Sequence, residues 1–349
     1  MLYWLGGQLQ GIWGPLRLLS SPLFLAAFGP ALAAALTWRL LPRFWGRMPP
    51  DHGKVFAVDG TKSQGKPTGT GLIFVIIYAV VCLLVAPPTP VFLQMLGCIF
   101  LAMLSGFLDD ASETPWHEYK KAALDLGIVV LAALVFCQLK PVEWWLPFTK
   151  QVYSVPVWLF IPLAVALLWL SINATNCTDG VDGLCGSLCS LALLYLGGFL
   201  IIVVGQAGIS RTLLVPHTTE AVGWAILAFT MIGALASYLW YNANPSLILM
   251  GDAGSRALGL LLGVLVLATG NPFVILAVAG VILVNGATGL VKVSLKRFLN
   301  IEFLWNIRFP LHDHMRKNLN WSIPQVLVRF VLIQALLTPL LLLIFIKAR

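Results

Sequence analysis

Charged residues are scarce in this chain. Lysine, arginine, aspartate and glutamate make up 10% of its 349 residues, whereas soluble domains carry about 25%. Hydrophobic residues make up 59%, and the mean hydropathy is +0.90. These values exclude a soluble globular protein and predict an integral membrane protein.

Several other features are missing. The N-terminus lacks a basic start, a compact apolar stretch and a small-residue cleavage site in that order, so we expect an interfacial lead-in carrying Trp4 and Trp13 rather than a cleaved signal. The six cysteines show neither a disulfide framework nor zinc-ligand spacing. Internal repeats and low-complexity tracts are absent. We therefore expect one membrane domain covering residues 1–349.

Long apolar runs are what the sequence does contain. A helix needs about 20 apolar residues to cross the hydrocarbon core, and ten runs bounded by charge, proline or glycine approach that length. The predicted fold is an all-α polytopic membrane protein with about ten transmembrane helices. The predicted spans are 22–41, 71–87, 91–108, 122–139, 155–172, 187–204, 221–240, 256–269, 272–292 and 323–346.

The loops between these spans differ in charge. Loops after odd-numbered spans carry 14 of the 22 basic residues, and the opposite side, including both termini, carries six. The positive-inside rule then places the basic loops in the cytoplasm and both termini outside. The same loops hold 11 of the 14 acidic residues. Because acidic residues contribute little to topology, their clustering predicts an active site on the cytoplasmic face.

Two adjacent carboxylates, Asp109 and Asp110, directly follow the third predicted span. Paired carboxylates can hold Mg²⁺ together with substrate phosphates, or can share a proton. A solvated helix end would explain the pair equally well.

The segment NATNCTDGVDGL follows the fifth predicted span. Asn173, Asn176, Asp179 and Asp182 recur every three residues, which on a helix would form a polar ledge below the membrane. Gly180 permits a turn or a close approach of a ligand to the backbone. A capped turn is the simpler explanation, but four oxygen-bearing side chains in this spacing favour a binding site.

Two glycine-rich stretches carry further candidate ligands. In MGDAGSRALG, Asp252 could reach a metal while helix amides meet phosphate, although an N-cap is the alternative. In TKSQGKPTGTG, Lys62, Lys66 and Thr68 could contact phosphates or lipid head groups. This stretch lacks the Walker order, so an ATP pocket does not follow.

The last loop, FPLHDHMRKN, offers His312 and His314 as acid, base, hydrogen-bond donor to a phosphate or metal ligand. Two histidines are too few for a zinc site. The five loops matter together, because they lie on one predicted face and combine carboxylates for a divalent metal with cationic groups for an anion. This combination predicts a membrane-embedded phosphoryl-transfer site that uses Mg²⁺.

The motifs resemble those of the polyprenyl-phosphate N-acetylhexosamine-1-phosphate transferases, in the family's order and over nearly the whole chain: DD, NxxNxxDGxDGL, NxNPxxxxMGDxGS and HxH. GKPTGTG is most similar to the branch that transfers phospho-N-acetylmuramoyl-pentapeptide. That resemblance implies a Mg²⁺-dependent reaction of UDP-N-acetylmuramoyl-pentapeptide with undecaprenyl phosphate, giving lipid I and UMP for peptidoglycan. It also implies a homodimer in the bacterial plasma membrane.

The resemblance further implies a role for each matching residue. Asp252 would be the metal ligand, Asp109 the base or the binder of the lipid phosphate, and Asp110 its neighbour in catalysis. His312 and His314 would face the diphosphate. The substrate-binding residues would be Lys62, Lys66, Thr68, Lys121, Asn173, Asn176, Asp179, Gly180, Asp182, Asn242 and Leu249.

Four positions depart from the pattern of that branch. Its members usually have three consecutive histidines followed by glutamate, where this chain has HDHMR at 312–316. Leu249 replaces an aromatic residue that would stack on uracil, Glu113 replaces a common lysine, and Lys62 aligns only after a one-residue shift. The departures concern the sugar rather than the superfamily.

Two other functions were compared with this one. The first is a transferase that moves N-acetylglucosamine-1-phosphate to the same lipid. The second is a transporter, which predicts mid-span ionisable groups and a repeated architecture, whereas Asp125 and Arg329 lie near predicted span ends. A nucleic-acid partner is not expected.

Overall fold

A computed structural model describes residues 1–9, 11, 13–53, 58 and 60–348. In these ranges the chain is mostly helical. The α-helices are α1 (Leu2–Leu9), α2 (Pro22–Phe44), α3 (Gly71–Val85), α4 (Pro90–Asp110), α5 (Glu118–Cys137), α6 (Val157–Thr178), α7 (Leu184–Phe199), α8 (Ala207–Thr212), α9 (Ala221–Asn242), α10 (Gly251–Ala268), α11 (Val274–Val278), α12 (Gly280–Ile282), α13 (Thr288–Leu299), α14 (Leu311–Asn318) and α15 (Ile323–Lys347).

Seven helices among the described residues are long and apolar enough to cross a membrane. They confirm the prediction of a helical, multi-pass membrane protein. They are Pro22–Arg47, Pro90–Asp110, Val157–Thr178, Leu184–Val204, Ala221–Asn242, Gly251–Ala268 and Ile323–Lys347.

The other three predicted spans coincide with helices of a different kind. Helix α3 is apolar but only 15 residues long, and α5 carries Lys120, Lys121 and Asp125 in its first half. The predicted span 272–292 is not one helix, because it is divided among α11, α12, a π-helical turn at Leu283–Ala287 and the start of α13. The count of ten spans and the position of the termini stay predictions.

The break in this ninth segment is stabilised by α15. The backbone leaves helical geometry at Ala279, between α11 and α12. Gln334 of α15 accepts a hydrogen bond from Val281 N at 2.8 Å and donates one to the Ala277 carbonyl at 2.9 Å. Buried backbone groups freed by the break are thereby satisfied, as an apolar environment requires.

A small β-hairpin departs from the all-α prediction. Strands β1 (Val142–Trp145) and β2 (Val152–Val155) pair antiparallel, with Val142 opposite Val155. Trp145 donates from its backbone N to the Gly270 carbonyl at 2.9 Å and from its indole to the Thr269 carbonyl at 2.8 Å. The hairpin is therefore joined to the chain just past the end of α10.

Helix α10 lies at the centre of the bundle. It packs against α3, α4, α5, α6, α7, α9 and α11, and every residue from Ala253 to Ala268 is buried. Its start comes very close to α4, because a Cβ on Gly106 would lie 2.2 Å from the Asp252 carbonyl oxygen. The sequence GLLLGVLVLA is apolar on every side, as a helix surrounded by other helices requires.

Candidate functional site

A cavity of about 260 Å³ lies where α4 and α6 end and α10 begins. It brings together residues from all the loops in which the sequence predicted substrate contacts, and the histidine loop contributes Arg316 rather than His312 or His314. The predicted site residues that line it are Lys66, Thr68, Asp109, Asp110, Lys121, Asp179, Gly180, Asp182, Asn242, Leu249 and Asp252.

Carboxylates and cations alternate in one wall of the cavity. Lys121 Nζ forms an ion pair with Asp109 Oδ2 and lies 3.4 Å from Asp252 Oδ2. Arg256 Nη2 lies 2.9 Å from the same oxygen of Asp252. Trp116 N donates to Asp109 Oδ1 at 2.9 Å. The carboxylates of α4 and α10 thus share cationic partners.

Asp110 holds the start of α10. Its two oxygens accept hydrogen bonds from the backbone N–H groups of Asp252 and Ala253, both at 3.0 Å. These are orphan donors of a helix N-terminus, which a carboxylate stabilises. Gly251 has φ +67°, and a Cβ there would lie 2.3 Å from Asp110 Oδ2. Asp110 therefore positions Asp252, and its predicted role in catalysis stays a prediction.

The predicted helical ledge in NATNCTDGVDGL is wrong, because α6 ends at Thr178. Asp179 has φ −81° and ψ 61°, outside the helical region, and Gly183 has φ +77°. The chain turns here and enters α7. Asp179 and Asp182 face the cavity from this turn.

The two asparagines of the segment remain on α6, away from the cavity lining. Asn173 Nδ2 donates to the Trp169 carbonyl one turn earlier at 2.9 Å. Asn176 Nδ2 donates to Ser255 Oγ of α10 at 3.2 Å. In this structure they stabilise the helix and its contact with α10, and their predicted substrate contacts remain untested.

The first loop is joined to the opposite wall by hydrogen bonds. Lys66 Nζ donates to Ser246 Oγ at 3.0 Å. Ser246 in turn donates to Asp182, from Oγ at 2.8 Å and from N at 3.1 Å. Thr68 is buried in the wall. The backbone of Lys62 belongs to the short 3₁₀ turn Gly60–Ser63, which precedes Lys66 in the chain. The side chain of Lys62 lies outside the described part of the chain.

Asn242 and Leu249 shape the seventh loop. Asn242 Oδ1 accepts from Gly183 N and its Nδ2 donates to the Ile248 carbonyl, both at 2.8 Å. Leu249 pairs through its backbone with Pro67 and Thr70. Asn242 therefore fixes two loops to each other, and Leu249 offers the cavity an aliphatic rather than an aromatic surface.

Neither predicted histidine is among the described residues that line the cavity, but His312 packs behind its wall. His312 is 2% exposed, and its N and Nδ1 lie 2.9 and 3.1 Å from Asn285 Oδ1. An amide oxygen only accepts, so Nδ1 carries the proton. The ring packs against Gly180, where a Cβ would lie 2.5 Å from Nε2. His314 Nδ1 accepts from Arg308 N at 3.2 Å.

Several cavity residues were not among the sequence candidates. Asp51, His52, Ser63 and Arg316 line the cavity, and Arg316 Nη1 donates to the Val58 carbonyl at 3.0 Å. The position of Arg316 two residues after His314 was the only signal for it. The loop around Asp51 offered none, because its charges look like any basic loop on a membrane.

The carboxylates of the cavity suit an open Mg²⁺ site, completed by substrate and water, better than a metal site closed by protein ligands. Asp109 Oδ2 and Asp252 Oδ2 converge on one cation-sized position, which the ammonium of Lys121 takes. Among the described residues, His, Cys, Asp and Glu side chains do not gather in threes with metal-binding geometry. Mg²⁺ needs only one or two carboxylates when substrate phosphates and waters complete its shell.

Comparison with known proteins matches this chain to one family and to relatives that share one name. A profile of glycosyl transferase family 4 matches residues 92–270. The phospho-N-acetylmuramoyl-pentapeptide-transferase of Treponema pallidum subsp. pallidum is 47% identical over 330 residues, which is 93% of this chain and 90% of that protein. Proteins of the same name are 28% identical in Methylacidiphilum infernorum, over 80% of this chain and 79% of theirs, and in Helicobacter pylori, over 90% and 91%.

Proposed function

Because the chain belongs to glycosyl transferase family 4 and to its phospho-N-acetylmuramoyl-pentapeptide-transferases, we propose that it makes lipid I. It transfers phospho-N-acetylmuramoyl-pentapeptide from the UDP carrier to undecaprenyl phosphate and releases UMP. The reaction is a step of peptidoglycan synthesis in the bacterial inner membrane. The observation that carries this proposal is the cluster of Asp109, Lys121 and Asp252, which opens into a cavity at the end of apolar helices.

The reaction exchanges one phosphoanhydride bond for another. An oxygen of the lipid phosphate bonds to the sugar-linked phosphorus, and the bond from that phosphorus to the bridging oxygen of UMP breaks. Lys66, Lys121 and Arg316 line the cavity and would bind the anionic groups, since positioning and charge stabilisation do most of the work in phosphoryl transfer. Asp109 would bind the lipid phosphate or take its proton.

The charge balance of the ion-pair cluster in and behind the cavity wall supports a divalent cation. When all are ionised, the linked groups carry four negative and two positive charges, a net charge of −2. They are Asp109, Asp110, Asp125, Asp252, Lys121 and Arg256. Mg²⁺ bound there would offset the charge of the two phosphates that must meet.

UMP release with each UDP-sugar tests the proposal. Purified protein receives undecaprenyl phosphate, Mg²⁺ and either UDP-N-acetylmuramoyl-pentapeptide or UDP-N-acetylglucosamine. We expect UMP and a lipid-linked product only with the first, and loss of both products after a chelator is added. A product from UDP-N-acetylglucosamine alone would replace the proposal with the alternative transferase. Absence of UMP with both sugars would contradict both transferase functions and favour the transporter.

A further inference from the structure

An ion pair lies inside the bundle, directly behind the cavity wall. Asp125 of α5 and Arg256 of α10 are 3% and 2% exposed, and Arg256 Nη1 lies 3.1 Å from Asp125 Oδ1. The same nitrogen lies 3.4 Å from Ser105 Oγ of α4. Neither charged residue is among the described residues that line the cavity. The guanidinium therefore joins three helices without facing the space where substrates would bind.

Arg256 also contacts the predicted metal ligand. Its Nη2 donates to Asp252 Oδ2 at 2.9 Å, one helical turn earlier, and lies 3.8 Å from Asp109 Oδ2. Residues four apart on a helix face each other, so Arg256 can reach Asp252 on its own. Because the guanidinium is planar and rigid, a contact that fixes Nη1 also fixes the direction of Nη2. Asp125 thus controls where Arg256 holds Asp252.

A purely structural pair would be a poor explanation for these charges. Burial of an ion pair costs desolvation energy, and replacing both partners by apolar residues is often neutral or stabilising. Ionisable groups within membrane helices usually mark function. We propose that Arg256, oriented by Asp125, is a positioning residue for the transfer reaction. It holds Asp252 Oδ2 so that this oxygen and Asp109 Oδ2 face one cation position, an inference that rests on the proposed function.

The test removes the pair without leaving a lone buried charge. The variants are the double substitution Asp125→Leu with Arg256→Met, and the single substitutions Asp125→Asn and Arg256→Lys. Asparagine still accepts a bond from Arg256, and lysine keeps the charge but cannot reach Asp125 and Asp252 at once. The control is Ser171→Ala, since Ser171 Oγ donates to the Gly259 carbonyl of α10 at 2.7 Å, away from the cavity lining.

Three measurements separate positioning from folding. They are kcat and KM for UMP release, binding of Mn²⁺ alone by electron paramagnetic resonance, and thermal unfolding. Loss of an outer partner of a metal ligand typically costs about 10- to 100-fold. We expect the double variant and Arg256→Lys to lose that much in kcat and in Mn²⁺ affinity, with KM for the UDP substrate changed less than about threefold. Asp125→Asn should lose less, and Ser171→Ala should lose neither activity nor Mn²⁺ affinity.

A folded double variant with wild-type kcat and Mn²⁺ affinity would overturn the positioning role. If the double variant fails to fold, wild-type values in both single variants would overturn it equally. Wild-type protein that releases no UMP would instead contradict the proposed function. Mn²⁺ binding would still decide whether Arg256 positions Asp252, because that measurement needs no turnover.

Discussion

At the scale of single residues, Asp252 is the carboxylate on which the charges of the site converge. Its Oδ2 meets Arg256 and Lys121, while 18% of its side chain stays exposed. We expect Asp252→Asn to lower Mg²⁺-dependent UMP release by more than about 100-fold, since loss of an outer partner alone costs 10- to 100-fold. Thermal unfolding should change much less than turnover, because asparagine can still accept a hydrogen bond from Arg256 and Asp125 still pairs with that guanidinium. Near-normal turnover would remove Asp252 from the metal site.

Glu302→Gln serves as a control for this prediction. Glu302 lies on the same predicted face, is exposed, and pairs with Lys296 at 2.8 Å. Exposed pairs of this kind contribute little to stability. Its loss should leave both turnover and unfolding as they are.

Asp110 should behave differently from Asp252, because its carboxylate accepts from the first amides of α10. Asp110→Asn would put an NH₂ group against one of two backbone donors. Loss of a helix cap costs about 0.5–2 kcal/mol, so we expect the free energy of unfolding to fall by about that amount, together with turnover. Chemical unfolding of the variant beside Glu113→Gln, an exposed neighbour, measures it. Turnover lost at unchanged stability would instead place Asp110 in the chemistry.

Only some of these residue roles could be predicted from the sequence. Carboxylates are so rare in this chain that Asp109, Asp179 and Asp252 attract attention wherever they occur, and all three line the cavity. Arg256 and Asp125 looked like ordinary span ends. Their pairing joins positions 131 residues apart, and only the packing of α5 against α10 brings them together.

At the scale of elements, the close contact of α4 and α10 sets the position of the site. We expect Gly106→Ala to push these helices apart, because its Cβ would meet the Asp252 carbonyl oxygen at 2.2 Å. Overpacking costs about 1–3 kcal/mol, and a misplacement of about 1 Å can cost 100-fold in rate. Both unfolding and UMP release should therefore suffer.

Gly97→Ala is the matched control on the same helix. A Cβ at Gly97 meets nothing within 4 Å, so the substitution should leave turnover unchanged and stabilise α4 by up to about 1 kcal/mol. Equal losses in both variants would mean that glycine is needed for α4 itself, not for its contact with α10.

Apolar runs predicted where helices lie but not how each one ends. The fifth predicted span continues to Thr178 as α6, which carries the two asparagines of the polar repeat. The chain leaves the helix at Asp179, and Gly183 takes a left-handed conformation directly before α7. The sequence did not predict the break at Ala279, because no proline lies at that point of the chain. It depends on Gln334, which lies 53 residues from its partner Val281, and such distant hydrogen bonds leave no local pattern.

At the scale of the whole molecule, the distribution of basic residues among the loops predicts the orientation in the membrane. Alkaline phosphatase is active only outside the cytoplasm. A fusion after residue 305, in the ninth loop, should therefore be inactive, and a fusion after α15 should be active, because the positive-inside rule places these points on opposite sides. The reverse result would put the cavity on the outer face, away from any cytoplasmic UDP substrate.

The central place of α10 has a consequence for how the protein is made. Nearly all its packing partners, namely α3, α4, α5, α6, α7 and α9, precede it in the chain. A helix that carries Asp252 and Arg256 would insert poorly into lipid alone, since each such charge costs up to about 3 kcal/mol at mid-membrane. When the ribosome delivers α10, Lys121 and Asp125, which pair with Asp252 and Arg256, have already been synthesised. We therefore expect helix α10 to enter a partly assembled bundle that can neutralise its charges, rather than open bilayer.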